Sequence, residues 1–162
     1  MLLWMLISVQ FIITVYVFLF LKCFLNDYLN IYSVDIPIIG ISIMSFIGCI
    51  TSILFMIAPS EKEFWRTFFT VNASIALFFR LLMIIQLFRL SDHPFQKSLK
   101  TYAAFCCISL IPFVYFIYIQ IHFPVSTVYV ILLESLYIPS YIILFKIYFD
   151  ALKNLKTGKV IA

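Results

Sequence analysis

The chain has 162 residues, of which 65% are hydrophobic and 11% charged, against roughly 45–50% apolar and 25% charged in ordinary soluble domains. With a mean hydropathy of +1.14 and with nineteen Phe and ten Tyr, that composition excludes water as the main solvent, because a small aqueous core cannot hide so much bulk. The formal charge of +4 does not indicate nucleic acid, since the cations stand at the ends of apolar runs and not in a patch interleaved with stacking aromatics.

The runs predict an all-α fold, a polytopic transmembrane helical bundle of about five spans. A span needs about 20 largely apolar residues at 1.5 Å rise each. Stretches at about 3–25, 36–58, 67–90, 101–121 and 125–150 qualify. Each is apolar all round, whereas a membrane barrel strand alternates over about ten residues, and a helix satisfies its own backbone in lipid. The first stretch lacks the basic start and small-residue cleavage site of a removable signal, so it reads as a retained span. The joints, Asn26 to Asp35, Pro59 to Arg66, Ser91 to Lys100 and the turn His122-Phe123-Pro124, are too short to fold alone. Residues 1–162 are therefore expected to form a single membrane domain, with 151–162 as a basic tail.

The second span carries Ser42, Ser45, Cys49 and Ser52 on one face with Gly40 and Gly48 adjacent. Ser45, Gly48 and Cys49 are thus a helix-packing site, because small side chains let backbones approach. In the third span, Asn72-Ala73-Ser74 matches a glycosylation sequon. It lies so close to the apolar run that it is expected to stay unmodified. The same span places Arg80 about 20 Å from its first end, close to the membrane midplane.

The fifth span puts Glu134 about 14 Å from its own start on a helix parallel to the third. A charge at that depth costs at least roughly 2.5–3.5 kcal/mol, so each of the two is expected to face the interior and find a partner. Tyr137 and Tyr141 share a stripe with Glu134 and with Tyr148. Arg80, Glu134, Tyr137 and Tyr141 are therefore the candidate intramembrane polar site. Two readings stand: a buried pair fixing helix register, or a pocket for a lipid headgroup or small polar ligand. Pro139 should kink this span and free the carbonyl of Ser135, and Lys146 should snorkel or pair locally with Asp150.

Catalytic and metal motifs are absent. Cys23, Cys49, Cys106 and Cys107 have no CxxC or Cys/His spacing, so neither disulfide nor metal is expected. His93 and His122 belong to no catalytic pattern, and three glycines in all leave no phosphate-cradling loop. A non-catalytic protein without cofactor follows.

Orientation comes from the cations. With the N-terminus outside, Lys22, Arg89, Lys97, Lys100, Lys153, Lys156 and Lys159 fall on the inner side and only Lys62 and Arg66 outside. This predicts a lumenal or extracellular N-terminus and a cytosolic C-terminus.

From Phe68 onward, short features follow in a set order: Leu87-Phe88-Arg89 at a span end, Lys97-Ser98-Leu99-Lys100, the segment Tyr115 to His122, then Tyr129, Leu133-Glu134 and Tyr148-Phe149-Asp150. This order resembles the C-terminal part of the superfamily uniting the post-GPI-attachment factors, the damage-regulated autophagy modulators and the CWH-type N-terminal domain. Members generally have six spans with both ends cytosolic, so loss of the first would leave five and a lumenal N-terminus. The resemblance implies a non-catalytic role in handling or trafficking GPI-anchored proteins or membrane lipid, in a Golgi, ER or endolysosomal membrane, with membrane lipid and other membrane proteins as partners. Two alternatives come from other classes: a truncated or divergent serpentine, chemoreceptor-like receptor, and a small accessory subunit of a membrane complex.

Overall fold

The computed structural model describes residues 2–57, 62–91, 94–122 and 138–156. These form five helices, α1 Leu2–Leu29, α2 Asp35–Ile57, α3 Lys62–Arg89, α4 Gln96–His122 and α5 Ile138–Lys156, with no strand among the described residues. Segments Ile7–Leu29, Asp35–Ile57 and Glu63–Arg89 are long and apolar enough to cross a membrane.

Several boundaries differ from the expected ones in one direction: helices run on into what read as polar joints. Helix α1 continues to Leu29, α3 starts at Lys62 and α4 at Gln96. For α3 and α4 the reason is that Lys, Glu and Gln are good helix formers, so a hydropathy boundary marks where the apolar run ends and not where the helix ends. The described part of the last helix runs to Lys156, past the expected limit at 150. Pro139 is the second residue of that described part. Residues 123–137, and with them the expected kink and the Ser135 carbonyl, lie outside the described residues.

The turn between α1 and α2 shows how the chain reverses. Asn30 takes a left-handed φ of 53°, a conformation Asn tolerates, and the Ile31 amide donates back to the Leu25 carbonyl at 2.9 Å. Further on, the Asp35 amide donates to Tyr32 O and the Ile38 amide to Val34 O, opening α2. Asp35 lies in the first turn of α2, where a carboxylate complements the helix dipole. Its Oδ2 accepts from Asn26 Nδ2 at 3.0 Å and lies 3.8 Å from Lys22 Nζ. The reversal is thus locked by polar groups of both helices.

Consecutive helices pack side by side in chain order. Helix α1 also meets α5, where Phe20 and Phe24 stand edge-on to Tyr148 at 5.2 and 5.6 Å between ring centroids. The apolar core joins all five, with Leu21 and Leu25 from α1, Ile38 and Ile41 from α2, Met83 and Leu87 from α3, Leu99 and Tyr102 from α4, and Ile147 and Ala151 from α5.

Burial on α2 is inverted relative to a soluble helix. Gly40, Ser42, Ser45, Gly48, Cys49, Thr51 and Ser52 are buried, while Ile36, Ile39, Ile43, Phe46, Ile50, Ile53 and Ile57 are exposed. The second set is the kind of surface a bilayer would solvate, and the first lets neighbouring helices come close. A Cβ built on Gly48 would lie 2.7 Å from the tip of the Phe11 ring on α1, and one on Gly40 would lie 2.5 Å from Cγ of Phe79 on α3. Small residues thus seat α2 between both neighbours.

Hydroxyl groups along the helices return to their own backbones. Ser42 bonds Ile38 O, Thr51 bonds Ile47 O, Ser52 bonds Gly48 O and Ser74 bonds Thr70 O, at 2.7–2.9 Å. In an apolar solvent this is the nearest way to satisfy them.

Candidate functional site

Inside the bundle, four helices converge on one small polar cavity. On α3, Arg80 presents with Met83 and Ile84, three and four residues on and hence on the same face. On α4, Tyr102, Cys106, Ser109 and Leu110 follow at offsets of four, seven and eight, again a single stripe. Ser140 and Tyr141 come from the start of α5 and Phe18 from α1. Together these ten side chains enclose about 20 Å³.

Most of the polar walls are deeply buried. Tyr102 and Ser140 are each 2% exposed and Ser109 1%. The Cys106 thiol faces the hydroxyls of Tyr102 and Ser140, and the Arg80 charge acts on both Tyr102 and Cys106. Ser109 Oγ donates to the Cys106 carbonyl at 2.7 Å. Ser140 Oγ has no well-formed hydrogen bond, its neighbour being a thiol, which is a weak partner.

The space is that of about one water molecule, far below the roughly 300–1,000 Å³ of a small-molecule pocket. The described walls offer a guanidinium, phenols, hydroxyls and a thiol. They set the half-buried Arg80 among polar groups and apolar side chains of three other helices. Among the described residues no three His, Cys, Asp or Glu side chains converge as metal ligands.

Of the candidate polar residues, Arg80 and Tyr141 come together here, whereas Glu134 and Tyr137 lie outside the described residues. Tyr148, from the same predicted stripe, instead packs on Phe20 and Phe24. Tyr102, Cys106, Ser109 and Ser140 were not singled out by sequence reasoning. The signal for three of them was present, since Tyr102, Cys106 and Ser109 recur at helical spacing within an otherwise apolar run. Ser45 and Cys49 are buried, 5% and 6% exposed, and Gly48 meets Phe11. This packing face is separate from the cavity.

A second polar contact crosses between helices. Asn72, 7% exposed, donates from Nδ2 to the main-chain carbonyl of Met44 on α2 at 3.1 Å. The sequon asparagine is therefore turned into the bundle.

Compared with known protein families, with curated proteins and with solved structures, the chain matches none.

Proposed function

We infer that this chain is an integral membrane protein that crosses the bilayer five times, with its N-terminus lumenal or extracellular and its basic C-terminus cytosolic. The observation that supports the reading is the burial pattern of α2, whose serines, Thr51 and glycines face protein together with Ile38 and Ile41, while Ile36, Ile39, Ile43, Ile50, Ile53 and Ile57 face outward. Only a lipid solvent makes that arrangement favourable. The distribution of cations supports the orientation.

Its role is the non-catalytic handling of membrane lipid or GPI-anchored proteins, in a Golgi, ER or endolysosomal membrane. The resemblance between Phe68 and Asp150 supports this. Arg80 and its neighbours from α1, α4 and α5 help fix the bundle from within.

A glycosylation acceptor appended at the N-terminus should be modified and one appended after Ala162 should not, in a chain that resists alkaline extraction from membranes. The reverse pattern overturns the topology, and release into the supernatant overturns membrane integration. Cells lacking the chain should show an altered amount or lipid composition of GPI anchors at the surface, measured by mass spectrometry of released anchors. Unchanged anchors and unchanged bulk lipids would sink the lipid-handling role.

A further inference from the structure

At the end of the bundle where α3 gives way to α4, the surface changes character over a few turns. Lys97 is exposed and Lys100 half-buried in the first turns of α4. With Gln96, Thr101 and Ala104 they line a shallow, open concavity on the surface. Gln96 Nε2 donates to the Leu90 carbonyl at 2.8 Å and Thr101 Oγ1 to the Lys97 carbonyl at 2.9 Å. Gln96 and Thr101 each spend a donor inside the chain, so the positive charge at the concavity comes from the two lysines.

Deeper along the same helix the chemistry becomes apolar. Ala104, Ile108 and Ile111 follow Lys100 at offsets of four, eight and eleven, which keeps them on one face. Ile108 and Ile111 are 58% and 72% exposed. A cationic opening within about 9 Å of the helix start, continued by an apolar stripe, has the outline of a two-part amphiphile.

We propose that this face of α4 binds an anionic phospholipid, its phosphate between Lys97 and Lys100 and an acyl chain along Ala104, Ile108 and Ile111. The inference rests on the reading above, which puts this end of the bundle at the cytosolic leaflet, where anionic lipids concentrate. Lysine ammoniums are point charges without the bidentate fork of arginine. The site therefore selects on headgroup charge and not on headgroup shape.

The test uses the purified full chain in detergent, with lipid binding read by native mass spectrometry. The probes are dioleoylphosphatidylserine, dioleoylphosphatidylcholine and the chain-free headgroup glycerophosphoserine. Phosphatidylserine should bind at least about tenfold more tightly than either of the others. Lys97→Ala with Lys100→Ala should weaken it about thirtyfold, from two lysines at about 1 kcal/mol each and 1.4 kcal/mol per decade. Lys97→Arg with Lys100→Arg should preserve binding, as should Lys146→Ala with Lys153→Ala, which removes the same charge from α5. Equal binding of phosphatidylcholine overturns the proposal, as does equal loss in the α5 pair. Equally tight glycerophosphoserine would mean that the face takes a free headgroup and uses no acyl stripe, which also overturns it. If the chain stays in membranes through alkaline extraction yet shows no anionic preference, this inference fails alone. If it is released, the reading beneath it fails too.

Discussion

Asn72 on α3 hydrogen-bonds the backbone of α2 at Met44, Nδ2 to carbonyl oxygen, at 3.1 Å. A helical carbonyl has a second lone pair, so Met44 accepts this bond in addition to its helical one. The two helices are joined through a group that every residue at position 44 would supply.

Asn72→Leu should therefore lower stability by about 0.6–2 kcal/mol, the range for interhelical hydrogen bonds in membranes, and leave no carbonyl orphaned. Thermal unfolding in detergent checks this, and an unchanged midpoint would show that the bond contributes nothing. In the native chain Asn72 should carry no glycan, read as an unchanged gel mobility after endoglycosidase treatment.

The two buried glycines of α2 should differ in tolerance. A Cβ at Gly40 meets Cγ of Phe79 at 2.5 Å, the root of the ring, whereas at Gly48 it meets the tip of Phe11 at 2.7 Å. A ring tip moves aside more easily than a root. Gly40→Ala should cost about 1–3 kcal/mol of overpacking and Gly48→Ala less. Gly48→Leu should lower folded yield in detergent more than Leu54→Phe, because Leu54 is 43% exposed on the outer surface. Equal yields for that last pair would refute the packing account.

At the α1–α2 reversal, Asp35 matters more than Lys22. Their separation is 3.8 Å with side chains 26% and 28% exposed, a geometry worth at most about 1 kcal/mol. Asn26 Nδ2, in contrast, is within 3.0 Å of the carboxylate, and a hydrogen bond to a charged group is worth about 1.5–3 kcal/mol. Asp35→Ala should destabilise by about 2 kcal/mol or more, Lys22→Met by less than 1, with Asp35→Asn between them. A larger loss for Lys22→Met in a denaturant titration would reverse this ranking.

Arg80 should be coupled to Glu134. Stranding one member of a buried ion pair typically costs about 3–5 kcal/mol, whereas replacing both can be nearly neutral. Arg80→Leu and Glu134→Leu should each reduce folded yield by fluorescence-detected size exclusion, and the double variant should recover most of it. A double variant as poor as the two losses combined would show that the charges are not partners.

Composition and run length were enough to predict the helical class, and three of the described helices are long and apolar enough to cross a membrane, because about 20 apolar residues in succession have few other fates. The small-residue face of α2 was also legible, since Ser45, Gly48 and Cys49 recur at helical spacing. Helix ends were not, because Glu63, Lys97 and Lys100 read as joints while their backbones continue the helix.

The tertiary structure decided which polar groups meet. Nothing local to Arg80 names Tyr102, Cys106 or Ser140 as its neighbours. They are brought together by the lateral order of α1, α3, α4 and α5, and each supplies the cavity from a different register along its helix. Likewise Asn72 reads as a sequon in the sequence and becomes an interhelical bond only once α3 lies against α2. The sequence by itself determined the helical class and the apolar character of the runs, because hydrophobicity and helicity are summed along the chain. The site belongs to packing, because contact between residues 28 or 60 positions apart depends on how the helices are laid side by side.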